Sequence, residues 1–229
     1  MRNVSATRPV ANAPPHARTR FMARVYAHLL GGIVAFVALQ VFLFDTGLAE
    51  QIFLLVIDTN WLLILGGFMI VSWLATRLSH GARSGPGAYG GYALLVLANA
   101  LLFAAPLYQA DQFAEGAITL AAQISIIAFL GLSAIALTTS KDFSFLRGIL
   151  LWGGLVALGL IVVSVIFGLH LGVWFSVAMI AVAGGAILYD TQKVYRSFPA
   201  DAVVPAAMHI FSSLALLFWY VLRLVMQRR

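Results

Sequence analysis

Apolar residues run along this chain in seven long blocks, approximately 25–44, 52–75, 88–108, 116–137, 147–168, 171–190 and 204–226. Short polar segments between them hold nearly all the charge. A helix needs about 20 predominantly apolar residues to cross the hydrocarbon core, and in lipid its backbone must be satisfied within the segment itself. Each block has roughly that length, so the pattern predicts an all-α polytopic membrane protein of seven transmembrane helices. The fifth and sixth blocks are split only by "GLHLG", a minimal turn with Gly168 and Gly172 as breakers. Ahead of the first block, residues 1–20 read "MRNVSATRPVANAPPHARTR", polar and Pro-containing with four Arg. They lack the apolar run of a signal peptide. The organisation expected is a disordered cytoplasmic tail over residues 1–20 and a single membrane domain over 21–229.

Composition supports this reading. Of 229 residues, 62% are hydrophobic and only 10% charged, where a soluble domain carries about 25% charge. Cysteine is absent, which excludes a disulfide framework and a cysteine metal site. The net charge of +6 suggests nucleic acid until its placement is considered. With the N-terminus in the cytoplasm, the inner segments hold Arg2, Arg8, Arg18, Arg20, Arg24, Arg77, Arg83, Lys141, Arg147, Lys193 and Arg196. The outer connections hold Asp45, Glu50, Asp58, Asp111 and Glu115 and no Lys or Arg. That asymmetry follows the positive-inside rule and predicts an inner-membrane protein that takes no nucleic acid. Seven spans put the C-terminal "MQRR" outside, against the same rule. Either the short tail tolerates this or the last helix is re-entrant; a true span is preferred. Trp61, Trp152, Trp174 and Tyr108 lie near span ends and read as interfacial anchors. Gly pairs at 31–32, 66–67, 153–154 and 184–185 permit close helix approach and suit a compact bundle.

Asp190, in "GGAILYDTQKVYRSF", falls within a predicted span at its cytoplasmic end. An intramembrane carboxylate costs roughly 2.5–3.5 kcal/mol on insertion scales and is a functional candidate by default; the plainer reading is an interfacial acid paired with Lys193 at i+3. Arg77 ends the second span on the same side. His209 and Ser213 lie four residues apart in the seventh, on one helical face. A His beside a carboxylate is poised to titrate; its plainer role is a satisfied hydrogen-bonder, and Ser212 and Ser213 could equally bond back to their own helix. Enzyme chemistries find no complete constellation. Tyr189-Asp190 mimics the "YD" of an aspartyl protease without a second intramembrane acid to share its proton. "GLSA" at 131–134 falls short of a GxSG nucleophile, and Lys141 and Lys193 lie at membrane edges, where no Schiff base would form. His16, His28, His80, His170 and His209 lack zinc-ligand spacing. The chain reads as a non-enzyme without a cofactor.

"YDTQKVY" at 189–195, preceded by "AGGAIL", resembles the sixth-helix signature of the Bax inhibitor family, also called the transmembrane Bax inhibitor motif family. "ALTTSKDFSFLRG" at 136–148 resembles that family's connection between the fourth and fifth spans, and "FMARVYAHLL" at 21–30 the start of its first span. The chain is most similar to the bacterial YccA-like members. The resemblance implies six helices around a central seventh and a passive, pH-sensitive Ca²⁺ leak. In that picture aspartates in the sixth and seventh helices share a proton, and a second-helix Arg latches onto the first of them. Asp190 matches the sixth-helix acid and Arg77 the latch. The second acid is missing, because counting back from Arg223 puts Ser213 at its place. We therefore expect His209 to supply the titratable partner, pairing with Asp190 at low pH and closing the path. A single carboxylate would attract Ca²⁺, which wants six to eight oxygen ligands, yet hold it weakly, as permeation requires. The same resemblance implies a second role, modulation of the membrane-bound AAA protease FtsH, in which the flexible residues 1–20 matter most.

Overall fold

The computed structural model describes residues 9–82, 85–139, 141–169 and 171–228. Arg2, Arg8, Arg83 and His170 lie outside the described residues. The described chain forms eight α-helices and no strands: α1 (Pro15–Asp45), α2 (Leu48–Asp58), α3 (Trp61–Ala82), α4 (Pro86–Phe113), α5 (Ala117–Thr138), α6 (Leu146–Phe167), α7 (Val173–Ser197) and α8 (Val203–Gln227). All but α2 are long and apolar enough to cross a membrane, which gives the seven spans expected. The last is one unbroken helix of 25 residues. Gly168 closes α6 in the left-handed conformation, at φ 64°, so the break between the fifth and sixth spans falls where the glycines put it.

Two boundaries differ from the sequence reading. The block 52–75 is two helices. Thr59 is extended, and the Asn60 side chain accepts a hydrogen bond from Leu62 N at 2.9 Å, capping α3 at Trp61. Apolar residues flank this break on both sides, so hydropathy alone runs across it; the polar triplet "DTN" at 58–60 is the signal. The N-terminal segment is also ordered further than expected. From residue 9 onward it is no loose tail: Pro9 bridges to Pro199, Val10 N donates to Phe198 O at 2.9 Å, and the Val10 side chain is buried in the main core. A 3-10 turn at Val10–Asn12 then leads into α1, with Pro15 in its first turn.

Helix α8 is the centre of the bundle. It packs against α1, α3, α4, α5 and α7 and buries Ala206, Ala207, Ile210, Leu217 and Leu222. Helix α4 lies beside it with Leu95, Ala100 and Phe103 buried. At the opposite extreme, α3 and α6 are mostly exposed, as are Leu63, Ile127, Trp152 and Trp174 on the bundle's outside. Apolar surface on this scale needs lipid rather than water against it. The tightest helix approach is made by Gly91 of α4, where a Cβ would meet Ala75 O at 2.5 Å and Ser79 N at 2.7 Å. Gly32 likewise leaves room for the Tyr92 ring, whereas Gly66, Gly67 and Gly154 meet nothing within 4 Å. Only some of the expected glycine contacts are therefore packing sites.

Candidate functional site

Helix α7 continues to Ser197, so Asp190 sits nearly two turns inside its end rather than at its edge. Its carboxylate faces α8, where the buried Ser213 donates Oγ–H to Asp190 Oδ2 at 2.5 Å. Ser213 thus bonds across the helix interface and not back to its own backbone; Ser212 does the latter, donating to Met208 O at 3.0 Å. Lys193, one turn on from Asp190, is close enough to act on it electrostatically, and its Nζ lies 5.6 Å from the Tyr189 ring. Asp190 and Ser213 are brought together as the sequence suggested.

His209 and Arg77 are not brought to Asp190. The His209 ring packs edge-on against His80 of α3 at 5.3 Å and against Phe198 at 5.5 Å. Ser213, one turn along α8, takes the place beside the acid that His209 was expected to fill. Arg77 is exposed, its guanidinium stacked 4.9 Å over Trp73 on its own helix. Helical spacing explains the separation: Ser72, Thr76 and His80 form one stripe at i, i+4 and i+8 that turns toward α8, while Trp73 and Arg77 lie on the adjoining lipid-facing side. His80, not Arg77, is the residue α3 contributes to this end of the bundle. It lies with Lys193, Pro205 and His209 around a depression of about 430 Å³.

The rest of the α7 motif grips the connection between α5 and α6. Gln192 is buried and uses both ends of its amide: Nε2 donates to Lys141 O at 2.7 Å, and Oε1 accepts from Phe143 N at 2.7 Å. One turn further, Arg196 pairs with Asp142 at 3.5 Å. Residues 190–196 of α7 and residues 141–143 of the connection are therefore one structural unit. Asp190 ties α7 to α8, and Gln192 and Arg196 tie it to the α5–α6 connection.

A larger cavity, about 1070 Å³, lies between α3, α4, α6 and α8. It runs from Trp61, Gln109 and Arg223, at the end away from Lys141, Lys193 and Arg196, down to Ser72, Thr76, Asn99 and Ser212. Its floor is one helical turn from the His80–His209 contact, so the two voids are in line along α8. Ser212 faces the cavity while its neighbour Ser213 holds Asp190. Among the described residues no three His, Cys, Asp or Glu side chains cluster in a way that could hold a metal ion.

A family model described as "Inhibitor of apoptosis-promoting Bax1" matches residues 18–229. A curated relative, the uncharacterised protein PA2604 of Pseudomonas aeruginosa, is 42% identical over 86 residues, 34% of this chain and 39% of the relative. The likeness to that protein thus spans well under half of either chain.

Proposed function

This chain belongs to the Bax inhibitor family, and we propose that this multi-pass membrane protein is a passive cation leak, with Ca²⁺ as its ion, closed at its cytoplasmic end where α7 and α3 meet α8. The observation that carries the reading is the hydrogen bond from Ser213 to Asp190 across the α7–α8 interface. The long cavity ends at Ser212, so drawing α8 away from α7 would break that bond and open the floor toward the depression beyond. Asp190 would then be the carboxylate at the narrowest point. One carboxylate with carbonyls and water draws a hard cation without caging it. The basic segments at this end support an orientation in which it faces the cytoplasm, with the protein in the inner membrane.

The pH-responsive element in this reading is the His80–His209 pair. Charge on both rings would set one against the other, and charge on either would set it against Lys193 in the same depression, so acid would loosen the contact between α3 and α8. This reverses the sign expected from an Asp190–His209 pair. Modulation of a membrane-bound AAA protease is the other reading. It needs an unfolded handle, and residues 9–20 are packed or helical, so nothing in the described segment favours it.

The test is Ca²⁺ uptake by liposomes holding purified protein, with Asp190→Asn alongside. Uptake that exceeds protein-free liposomes and falls with Asp190→Asn supports the leak. Uptake equal to protein-free liposomes, or unchanged by the substitution, rejects it.

A further inference from the structure

We infer that the cavity between α3, α4, α6 and α8 is, with the floor closed, a binding site for one acidic phospholipid, with the phosphate at Arg223 and an acyl chain lying along α8 toward Ser212. The lipid would have to vacate this space for an ion to pass. Arg223 is the one charged side chain among the described lining residues. Its Nη2 donates to Leu171 O at 3.0 Å and its Cζ lies 5.9 Å from the Phe175 ring. A guanidinium offers five N–H donors in a fixed fork suited to phosphate. Among the described residues no carboxylate pairs with it. A cation within a span is costly and is ordinarily paired, so the protein leaves a place for an anion here.

The position and the walls fit a lipid. Arg223 is four residues from the end of α8, about 6 Å along the axis at 1.5 Å per residue, which is headgroup depth. Trp61 and Trp219, stacked at 5.8 Å and 24°, frame the same level as interfacial rings do. Below them the lining turns apolar, with Leu65, Phe68, Leu102, Phe103 and Leu216. The side walls α3 and α6 barely touch and are otherwise exposed, so a chain can enter sideways from the bilayer without crossing a polar barrier. A free inorganic anion would use Arg223 but none of this apolar length.

Native mass spectrometry of the full chain, purified in detergent and titrated with phosphatidylglycerol or phosphatidylcholine, tests the inference. The wild type should retain one phosphatidylglycerol in preference to phosphatidylcholine. Arg223→Gln should weaken that retention about tenfold, the loss of one charge-assisted contact, and Arg223→Lys should restore most of it. Ala215→Phe, which fills the cavity from α8, should remove it with Arg223 intact. Equal retention of the two lipids, or retention unmoved by both Arg223→Gln and Ala215→Phe, overturns the proposal. Inorganic phosphate competing as well as the lipid does so too. The readout is lipid retention, so a failed leak would leave this result standing, and Asp190→Asn should not change it.

Discussion

Gln192 holds the carbonyl of Lys141 and the N–H of Phe143 at once, each at 2.7 Å. These three residues come from stretches about fifty positions apart, and the amide gives to one backbone group through its nitrogen while it takes from another at its oxygen. Gln192→Leu keeps the volume and deletes both bonds, leaving Phe143 N without this acceptor and Lys141 O with only the 3.4 Å bond from Arg196. The loss should be about 1 kcal/mol for each bond removed, seen as a lower unfolding temperature in a fixed detergent. Hydrogen exchange should rise at residues 141–146. Gln192→Glu keeps the acceptor for Phe143 N and turns repulsive toward Lys141 O, so it should destabilise as well. A melting temperature unchanged by both variants would show the clamp to be idle.

The Ser213–Asp190 bond makes a separable prediction about the leak. Ser213→Ala removes the donor and leaves the acid with nothing from α8, so Ca²⁺ uptake at neutral pH should rise. Ser213→Asp instead brings two carboxylates together, and like charges at such range cannot both ionise freely. That variant should acquire a new step in the pH profile of uptake that the wild type lacks. Identical profiles for wild type and Ser213→Asp would mean that this position does not face the route.

Packing between α3 and α4 depends on Gly91. A methyl group there would press on Ala75 O and Ser79 N, both backbone atoms that cannot turn aside. Gly91→Ala should therefore cost about 1–3 kcal/mol as an overpacked contact. Gly67→Ala, with nothing within 4 Å, is the control and should leave the unfolding temperature in place. If the two variants melt alike, the close approach is not a determinant of stability.

These contacts also mark how far the sequence could be read. The spans were legible because lipid imposes one rule on every crossing helix, a long apolar run, and that rule needs no knowledge of neighbours. Asp190 was legible for the complementary reason, as a single costly group in such a run. The α2–α3 break was hidden because Phe53 to Ile57 and Trp61 to Leu65 are apolar alike on its two sides, and a cap at Asn60 is a matter of one side chain. Gln192 was quoted within a motif without a role, since its partners are backbone groups that any sequence would offer. Arg77 was expected from the resemblance and from its place at the end of the second span; the rotation of α3 about its axis, set by Gly91 against Ala75 and Ser79, brings His80 to α8 instead. Arg223 served only as a landmark for counting, and the cavity that gives it meaning is formed by four separate helices.

The His80–His209 contact carries the last prediction. Two imidazole rings 5.3 Å apart pack well while neutral and poorly when charged. A pair of unit charges at that separation repels by about 3 kcal/mol at an effective dielectric near 20, and Lys193 adds to it from α7. Acidification should therefore favour separation of α3 from α8 and raise Ca²⁺ uptake. His209→Gln and His80→Gln each remove one member of the ring pair and leave only Lys193 beside the other, so either should flatten the acid response while retaining uptake at neutral pH. Arg77→Gln should leave the whole profile unchanged, because that guanidinium lies over Trp73 on the lipid side. The decisive comparison is the ratio of uptake at acid and neutral pH across the three variants. A ratio that collapses with Arg77→Gln and survives both His substitutions would return the latch to Arg77 and remove the His pair from the gate.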